Sequence, residues 1–97
     1  MFFEPRVNCI SSDEGFSIEV SGRTALIYTE GDHSARVELE MLVGSPPMVI
    51  YVNRLRRWSS PYDSEIIENE TRVRVADNIR RAFHFKGHDV DVETDSS

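Results

Sequence analysis

The stretch from Ser34 to Val43 alternates between apolar and polar side chains, and this pattern most constrains how the chain can fold. Successive side chains of a β-strand point to opposite faces, so the alternation predicts a strand with one buried and one exposed face. The strand follows Gly31-Asp32, a pair of residues typical of a tight hairpin turn. Before this turn, the segment 23–30 is rich in β-branched and aromatic residues, which predicts the partner strand.

The remaining segments predict further strands and one helix. The segment Phe16–Val20 alternates in the same way, and the segment 48–53 is short and apolar. From Glu68 to Phe85, apolar residues recur every three or four positions, at Val73, Ala76, Ile79, Ala82 and Phe83. Asn69 is the expected N-cap of this helix and Gly87 its C-terminal cap.

These elements predict an α+β fold of two layers in the order β-β-β-β-α-β. It consists of a four-stranded antiparallel meander, one long C-terminal helix and a short last strand near Val90. A chain of 97 residues is expected to form a single domain. Within it, we expect an extended arm over 1–15, the α+β domain over 16–93 and a frayed tail over 94–97.

Pairing across the hairpins predicts which side chains share a face. Closing the turn at Gly31-Asp32 places Tyr28 opposite Ala35 and Leu26 opposite Val37. A three-residue loop over 21–23 then places Ile18 opposite Leu26, and a four-residue loop over 44–47 keeps alternate residues of the next strand on the same face. We expect the helix to cover this face, which carries Ile18, Leu26, Val37, Leu39 and Ile50.

The opposite, outer face of the sheet is the candidate binding site. It carries apolar and charged side chains together, and the residues that we select are Arg36, Glu38, Glu40, Leu42, Val49 and Tyr51, with Ile27 beside them. Apolar residues on adjacent strands that are ringed by charge are typical of protein contacts. A merely amphipathic outer sheet is the alternative interpretation.

The net charge of −6 bears on the kind of partner. Neutralising a phosphate backbone requires a basic surface, so we expect no direct binding of nucleic acid, whereas a basic protein suits an acidic chain. The single cysteine, Cys9, excludes an internal disulfide framework and favours a reducing, cytoplasmic setting. We expect no membrane span and no signal peptide, because no apolar segment is long enough and the first residues lack a basic start.

Metal-binding and nucleophilic groups are not assembled by any recognisable motif. His84 and His88 are four residues apart, but Gly87 is expected to end the helix between them, and no third ligand stands at a diagnostic spacing. Cys9 could act as a nucleophile with His33 or His84 as its base, yet it lies in the poorly patterned N-terminal segment. A small, partly packed residue is the plainer interpretation of Cys9.

Two carboxylate pairs at strand spacing, Glu38/Glu40 and Asp89/Asp91, are candidates for general acid–base groups. Such catalysis needs one carboxylate in an apolar pocket, and these pairs are expected on solvated strand faces. We therefore expect a protein without enzymatic activity, catalytic residues, metal or cofactor.

Arg54, Arg56, Arg57 and Trp58 form a basic aromatic cluster. Stacking and guanidinium charge could bind a phosphate or a nucleotide there. The structural interpretation is that Trp58 closes the core and that the arginines pair with carboxylates.

Three segments stand in a characteristic order, namely RTALIYTEGDHSARVELEMLVG, PMVIYVNRLRRWSSP and ETRVRVADNIRRAFHFKGHDVDV. They include an acidic residue in the long third strand (Glu38 or Glu40), a VIYV stretch that leads to Trp58 and Pro61, and a helix that ends at Gly87. In order and spacing, these segments resemble the immunity protein 74 family of bacterial polymorphic-toxin systems. The resemblance covers roughly residues 16–93.

The resemblance implies a small cytoplasmic α+β protein that binds a cognate toxin and neutralises it by stoichiometric protein–protein interaction, without catalytic residues. Toxins of this type are often nucleases, whose basic clefts an acidic inhibitor suits. The expected partner is therefore a basic toxin protein. The chain itself is expected to be a monomer, or a homodimer paired through its exposed last strand. The alternative function is a small-molecule or nucleotide-binding regulatory module built on the Arg54/Arg56/Arg57/Trp58 cluster.

Overall fold

The computed structural model describes residues 1–22, 24–41, 43, 48–88 and 90–93. These residues form a seven-stranded sheet in which the strands follow one another in sequence order, together with one α-helix. The strands are β1 (Phe2–Arg6), β2 (Cys9–Ser12), β3 (Phe16–Val20), β4 (Ala25–Glu30), β5 (His33–Met41), β6 (Met48–Tyr51) and β7 (Asp91–Glu93). Between β6 and β7 lie a short 3-10 helix (Val52–Arg54) and helix α1 (Asn69–Phe85).

The predicted four-stranded meander is wrong, because the described residues form a mixed sheet of seven strands. Residues 1–15, expected to be an extended arm, supply β1 and β2 at one edge. At the other edge, β7 runs parallel to β6, whereas each pair of neighbouring strands from β1 to β6 is antiparallel. The parallel pairing follows from α1, which carries the chain back across the sheet before β7 begins.

The N-terminal hairpin is closed by the turn Val7-Asn8. Arg6 pairs with Cys9, and Asn8 has a φ of 63°, a left-handed conformation that Asn tolerates better than most residues. Phe2 anchors the hairpin, because its ring lies 5.8 Å from that of Phe16 and 5.7 Å from that of Phe85. The hairpin is therefore packed against both the sheet and the helix.

The pairing of β4 with β5 is confirmed, since Tyr28 lies opposite Ala35 and Leu26 opposite Val37. The predicted pairing of β3 is wrong by two residues, because Ile18 lies opposite Tyr28 and not Leu26. A shift of two residues leaves every side chain on its expected face, and Ile18 is fully buried. The loop residues Arg23 and 44–47 lie outside the described part of the chain.

Helix α1 packs on the inner face of the sheet through Val75, Ala76, Asn78, Ile79, Ala82 and Phe83. Val73, predicted to face the core, is 51% exposed, and the N-cap is Glu68 rather than Asn69. Gly87 ends the helix as predicted: its φ is 77°, its N–H donates to the His84 carbonyl, and the His88 N–H donates to the Phe83 carbonyl. This is a Schellman motif. No helix in the described residues is long and apolar enough to cross a membrane.

A chain of polar contacts holds α1 to the sheet. The buried Tyr28 hydroxyl accepts a hydrogen bond from Asn78 Nδ2 at 2.9 Å and donates to Glu30 Oε1 at 3.0 Å. Arg74 binds both oxygens of Glu30, and Arg81 donates to Asn78 Oδ1 at 2.8 Å. Burial raises the pKa of the Tyr28 hydroxyl well above its usual range, so it stays a donor.

Candidate partner-binding surface

The outer face of β5 and β6 brings most of the predicted site residues together. Glu40 lies opposite Val49, and Glu38 and Glu40 alternate with the buried Val37 and Leu39 along β5. With Tyr51 they border a depression of about 330 Å³, called the Tyr51 depression below, which is lined by Thr24, Arg36, Glu38, Glu40, Tyr51 and Arg54 among others. Leu42, also predicted for the site, lies outside the described residues.

Tyr51 is held in place at its hydroxyl. The Tyr51 O–H donates to Glu40 Oε1 at 2.7 Å. This hydrogen bond, followed by partial burial, raises the pKa of Tyr51, so the hydroxyl remains protonated near neutral pH. The Tyr51 ring therefore stands on the outer face in a defined orientation, with a carboxylate at its tip.

Arg54 completes the Tyr51 depression. Its guanidinium carbon lies 4.2 Å from the centre of the Tyr51 ring, and its Nη1 donates to Glu38 Oε2 at 2.8 Å. The hydrogen bond with Glu38 raises the pKa of Arg54, which keeps its charge. The guanidinium is thus bound at once by an aromatic face and by a carboxylate.

The selection of site residues from the sequence missed Arg54. Residues three apart stand on the same side of a 3-10 helix, and Tyr51 immediately precedes the one formed by Val52–Arg54. The i, i+3 spacing of a tyrosine and an arginine was the available signal. It was hidden because the segment 48–53 predicted a strand and Arg54 falls in the polar segment after it, and a continued strand would place Tyr51 and Arg54 on opposite faces.

The charge around the Tyr51 depression is mostly negative. Asp91 of β7 lies opposite Val49, and Glu93 lies opposite Tyr51, so both join Glu38 and Glu40 on the outer face. Within the described residues, the guanidinium of Arg36 has no hydrogen-bond or ion-pair partner, although its backbone pairs with Ile27. The surface therefore combines an aromatic ring, a half-buried valine and an excess of carboxylates.

The alternative cluster of Arg54, Arg56, Arg57 and Trp58 does not form one surface. Trp58 is 8% exposed and belongs to the core, so its ring faces are not open to a stacking ligand. Arg54 turns towards Glu38, whereas Arg57 donates to the carbonyl of Asp63 at 3.3 Å. The positions of Trp58 and Arg54 agree with the structural interpretation of the cluster, whereas Arg57 binds a backbone carbonyl and not the expected carboxylate.

A second polar cluster surrounds His33 at the tip of the β4–β5 hairpin. Its ring stacks on Tyr62 with centroids 3.8 Å apart, while Nδ1 lies 3.0 Å from Asp32 and Nε2 3.2 Å from Glu65. Partial burial lowers the pKa of His33, but the hydrogen bonds to Glu65 and Asp32 outweigh it and the net shift is upward. No local pattern indicates this cluster, because it joins Asp32 and His33 to Tyr62 and Glu65, about thirty residues further along the chain.

The other residues weighed for chemistry are scattered. Cys9 is buried in β2 opposite Glu19. His84 lies in the last turn of α1 and His88 follows its glycine cap. Among the residues that the structure describes, no three His, Cys, Asp or Glu side chains come together as a metal site would require. Asp89 lies outside the described residues.

Comparison with known families gives one match. The model of the family described as Immunity protein 74 matches residues 17–93. The matched residues include the whole Tyr51 depression and α1, but not β1 or β2. Comparisons with curated proteins and with solved structures gave no match.

Proposed function

The chain belongs to the Immunity protein 74 family, and from this premise we propose that it binds a cognate bacterial toxin and neutralises it by stoichiometric protein–protein interaction. In this proposal the chain works in the cytoplasm as an inhibitor and catalyses no reaction. The interaction surface is the outer face of the sheet around the Tyr51 depression.

The observation that supports this surface is the combination of Tyr51 with four carboxylates on one uncovered sheet face. A tyrosine buries a large ring at low entropic cost, and aromatic residues are the commonest anchors of protein interfaces. Glu38, Glu40, Asp91 and Glu93 ring this anchor. Acidic residues around an anchor accelerate the encounter with a basic protein and set its orientation.

The partner that fits this surface is a basic toxin of the nuclease type. A nuclease holds the phosphate backbone of its substrate with lysine and arginine side chains. An acidic surface competes for those same side chains, so one bound inhibitor is enough to close the cleft. The net charge of −6 also attracts a basic partner over longer distances.

The first test is a titration of the protein with a purified toxin at two salt concentrations, and a toxin gene that neighbours the gene of this chain would supply it. Tyr51→Ala is expected to weaken binding by about 2 kcal/mol, the range of interface anchors. Charge reversal at Glu38 and Glu40 is expected to slow association mainly and to flatten its salt dependence. Both variants should keep the melting temperature of the wild type, because none of the three residues lies in the core.

The control carries the same change of charge elsewhere. Asp63→Lys with Glu70→Lys reverses two exposed acidic residues outside the outer face and should affect association far less. A toxin that does not bind the wild type contradicts the proposed function. A toxin that binds all these variants equally shows that the interface lies elsewhere, and the loop 55–62 is then the next surface to test.

A further inference from the structure

We infer that the Tyr51 depression is a binding site for an arginine side chain of the partner, and that Arg54 occupies this site in the free protein. The inference rests on the proposed function and names the group that the partner inserts. In the free protein, Arg54 takes the place of the partner's arginine, and the partner displaces it on binding.

The first argument is the chemistry of the groups around the guanidinium. A flat aromatic face and a carboxylate at its edge suit a guanidinium, which is planar, weakly hydrated and a directional donor. Tyr51 supplies the face at 4.2 Å, and Glu38 supplies an acceptor at 2.8 Å. A lysine ammonium matches this arrangement less well, because it is compact, strongly hydrated and lacks a stacking plane.

The second argument is that Arg54 leaves part of this site unused. Arg54 donates to Glu38 through one nitrogen and to one carboxylate oxygen only. Arginine and carboxylate groups form their strongest contact with two parallel hydrogen bonds. Glu40 and Glu93 add further negative charge at the same ring, so an arginine that approaches from outside can make contacts that Arg54 does not.

The third argument is that Arg54 can leave at low cost. Its side chain is 59% exposed and that of Glu38 is 47% exposed, and an ion pair between exposed groups contributes little to stability. Arg54 is also the last residue of the short 3-10 helix, beyond the buried Val52. Its side chain can swing into solvent without disturbing the core.

Arg36 provides a matched comparison within the same depression. It carries the same charge as Arg54 and lines the same depression, but within the described residues it has no ring or carboxylate contact. Removing either arginine changes the net charge equally. Only the removal of Arg54 vacates the position over Tyr51.

The experiment is an NMR titration of the wild type, Arg54→Ala and Arg36→Ala with N-acetyl-arginine amide, followed at the Tyr51 ring and the Glu38 amide. Arg54→Ala is expected to bind this probe about tenfold more tightly than the wild type or Arg36→Ala, the combined effect of one ring contact and one ion pair. N-acetyl-lysine amide should bind Arg54→Ala more weakly. Arg54→Gln, which keeps a long polar side chain, should resemble Arg54→Ala.

Equal binding of the arginine probe by Arg54→Ala and Arg36→Ala overturns the inference, because net charge alone then explains the affinity. Equal binding of the arginine and lysine probes overturns it too. These titrations need no toxin, so their failure is distinct from that of the proposed function. In titrations with the purified toxin, Arg54→Ala should bind it more tightly than Arg36→Ala does.

Discussion

Glu30 is the residue whose surroundings best connect sequence, packing and stability. It stands at the end of β4, where Arg74 of the helix binds its two oxygens at 3.0 and 2.7 Å and the Tyr28 hydroxyl donates to it. The hydrogen bond from Arg74 lowers the pKa of Glu30, partial burial opposes this, and the net shift is downward. The side chain is 27% exposed, so the pair is partly shielded from water.

This depressed pKa predicts a dependence of stability on pH. The stabilisation is fully present above the pKa of an unfolded Glu, about 4.3, and is lost as the pH falls through the lower pKa of the folded state. Glu30→Gln should therefore be less stable than the wild type at pH 7, by about 1 kcal/mol for a partly buried ion pair. Melting temperatures of Glu30→Gln and the wild type should differ most at pH 7, and should draw together as the pH falls below about 4.3 and then through the lower pKa of folded Glu30.

The exposed Asp63 is the control for this experiment, because within the described residues its carboxylate has no hydrogen-bond or ion-pair partner and Arg57 contacts only its backbone carbonyl. Asp63→Asn should follow the wild-type curve over the whole pH range. If the difference between Glu30→Gln and the wild type stayed constant down to pH 3, the Arg74–Glu30 contact would not be the source of the stabilisation.

At the scale of elements, helix α1 shows what periodicity can and cannot resolve. Its bounds were predicted to within one residue, but its buried face was misplaced at Val73. Successive residues of a helix are rotated by about 100°, so Val73 and Val75 point in nearly opposite directions and only one can face the core. Val75 shares its face with Ile79 and Ala82, and this set is the one that packs on the sheet.

The same substitution at two positions tests this face. Ile79→Asp places an unpaired charge at a fully buried position and should destabilise the protein by several kcal/mol. Val73→Asp puts the same charge on the exposed face and should change stability by less than about 0.5 kcal/mol. Urea unfolding of both variants measures the difference, and equal losses would refute the assignment of the buried face.

The strand patterns predicted which face each side chain occupies better than they predicted which residues pair across the sheet. A face depends only on whether a residue number is odd or even along its strand, so Ile18 kept its face although its partner was wrong. The Gly31-Asp32 turn fixes the length of its loop, and the partners Leu26 and Val37 were therefore found. The loops over 21–23 and 44–47 carry no comparably specific signal.

The N-terminal hairpin escaped the sequence patterns for physical reasons. Phe2 and Phe3 are adjacent, which breaks the alternation, and Pro5 is normally a sign against a strand interior. Both features are tolerated because β1 is an edge strand with an irregular register between Phe3 and Arg6. The pairing of β2 with β3 and the contact of Phe2 with Phe85 of the helix show that the hairpin belongs to the fold.

For the whole molecule, one helix on one side of a large sheet explains why a binding surface is available. Helix α1 covers the inner face, where the buried residues form one continuous core. No helix or strand in the described part of the chain packs on the outer face around Tyr51. A second layer there would bury the carboxylates of Glu38 and Glu40, at a high cost in solvation. The face thus stays open to a partner whose basic groups can pair with them.

The last prediction concerns the part of the molecule that lies outside the family match. Cys9 and Ile10 are buried, and β2 pairs along β3, so removing residues 1–14 uncovers the core at Phe16 and Ile18. Because apolar burial contributes about 25 cal/mol per Å², this loss of buried area should lower the free energy of unfolding by several kcal/mol. The truncated protein should melt well below the full chain or fail to fold cooperatively.

Substitutions of two adjacent phenylalanines test the contribution of the N-terminal hairpin to stability without truncation. Phe2 packs between Phe16 and Phe85, whereas Phe3 is 49% exposed on the opposite side of β1. Phe2→Ala should cost about 2 kcal/mol, because its ring is partly buried, and Phe3→Ala less than about 0.5 kcal/mol. Thermal melts of the two variants and of the fragment 15–97 measure these effects. A fragment with the melting temperature of the full chain would show that the hairpin adds nothing to the core, and equal losses for the two phenylalanines would show that Phe2 is no anchor.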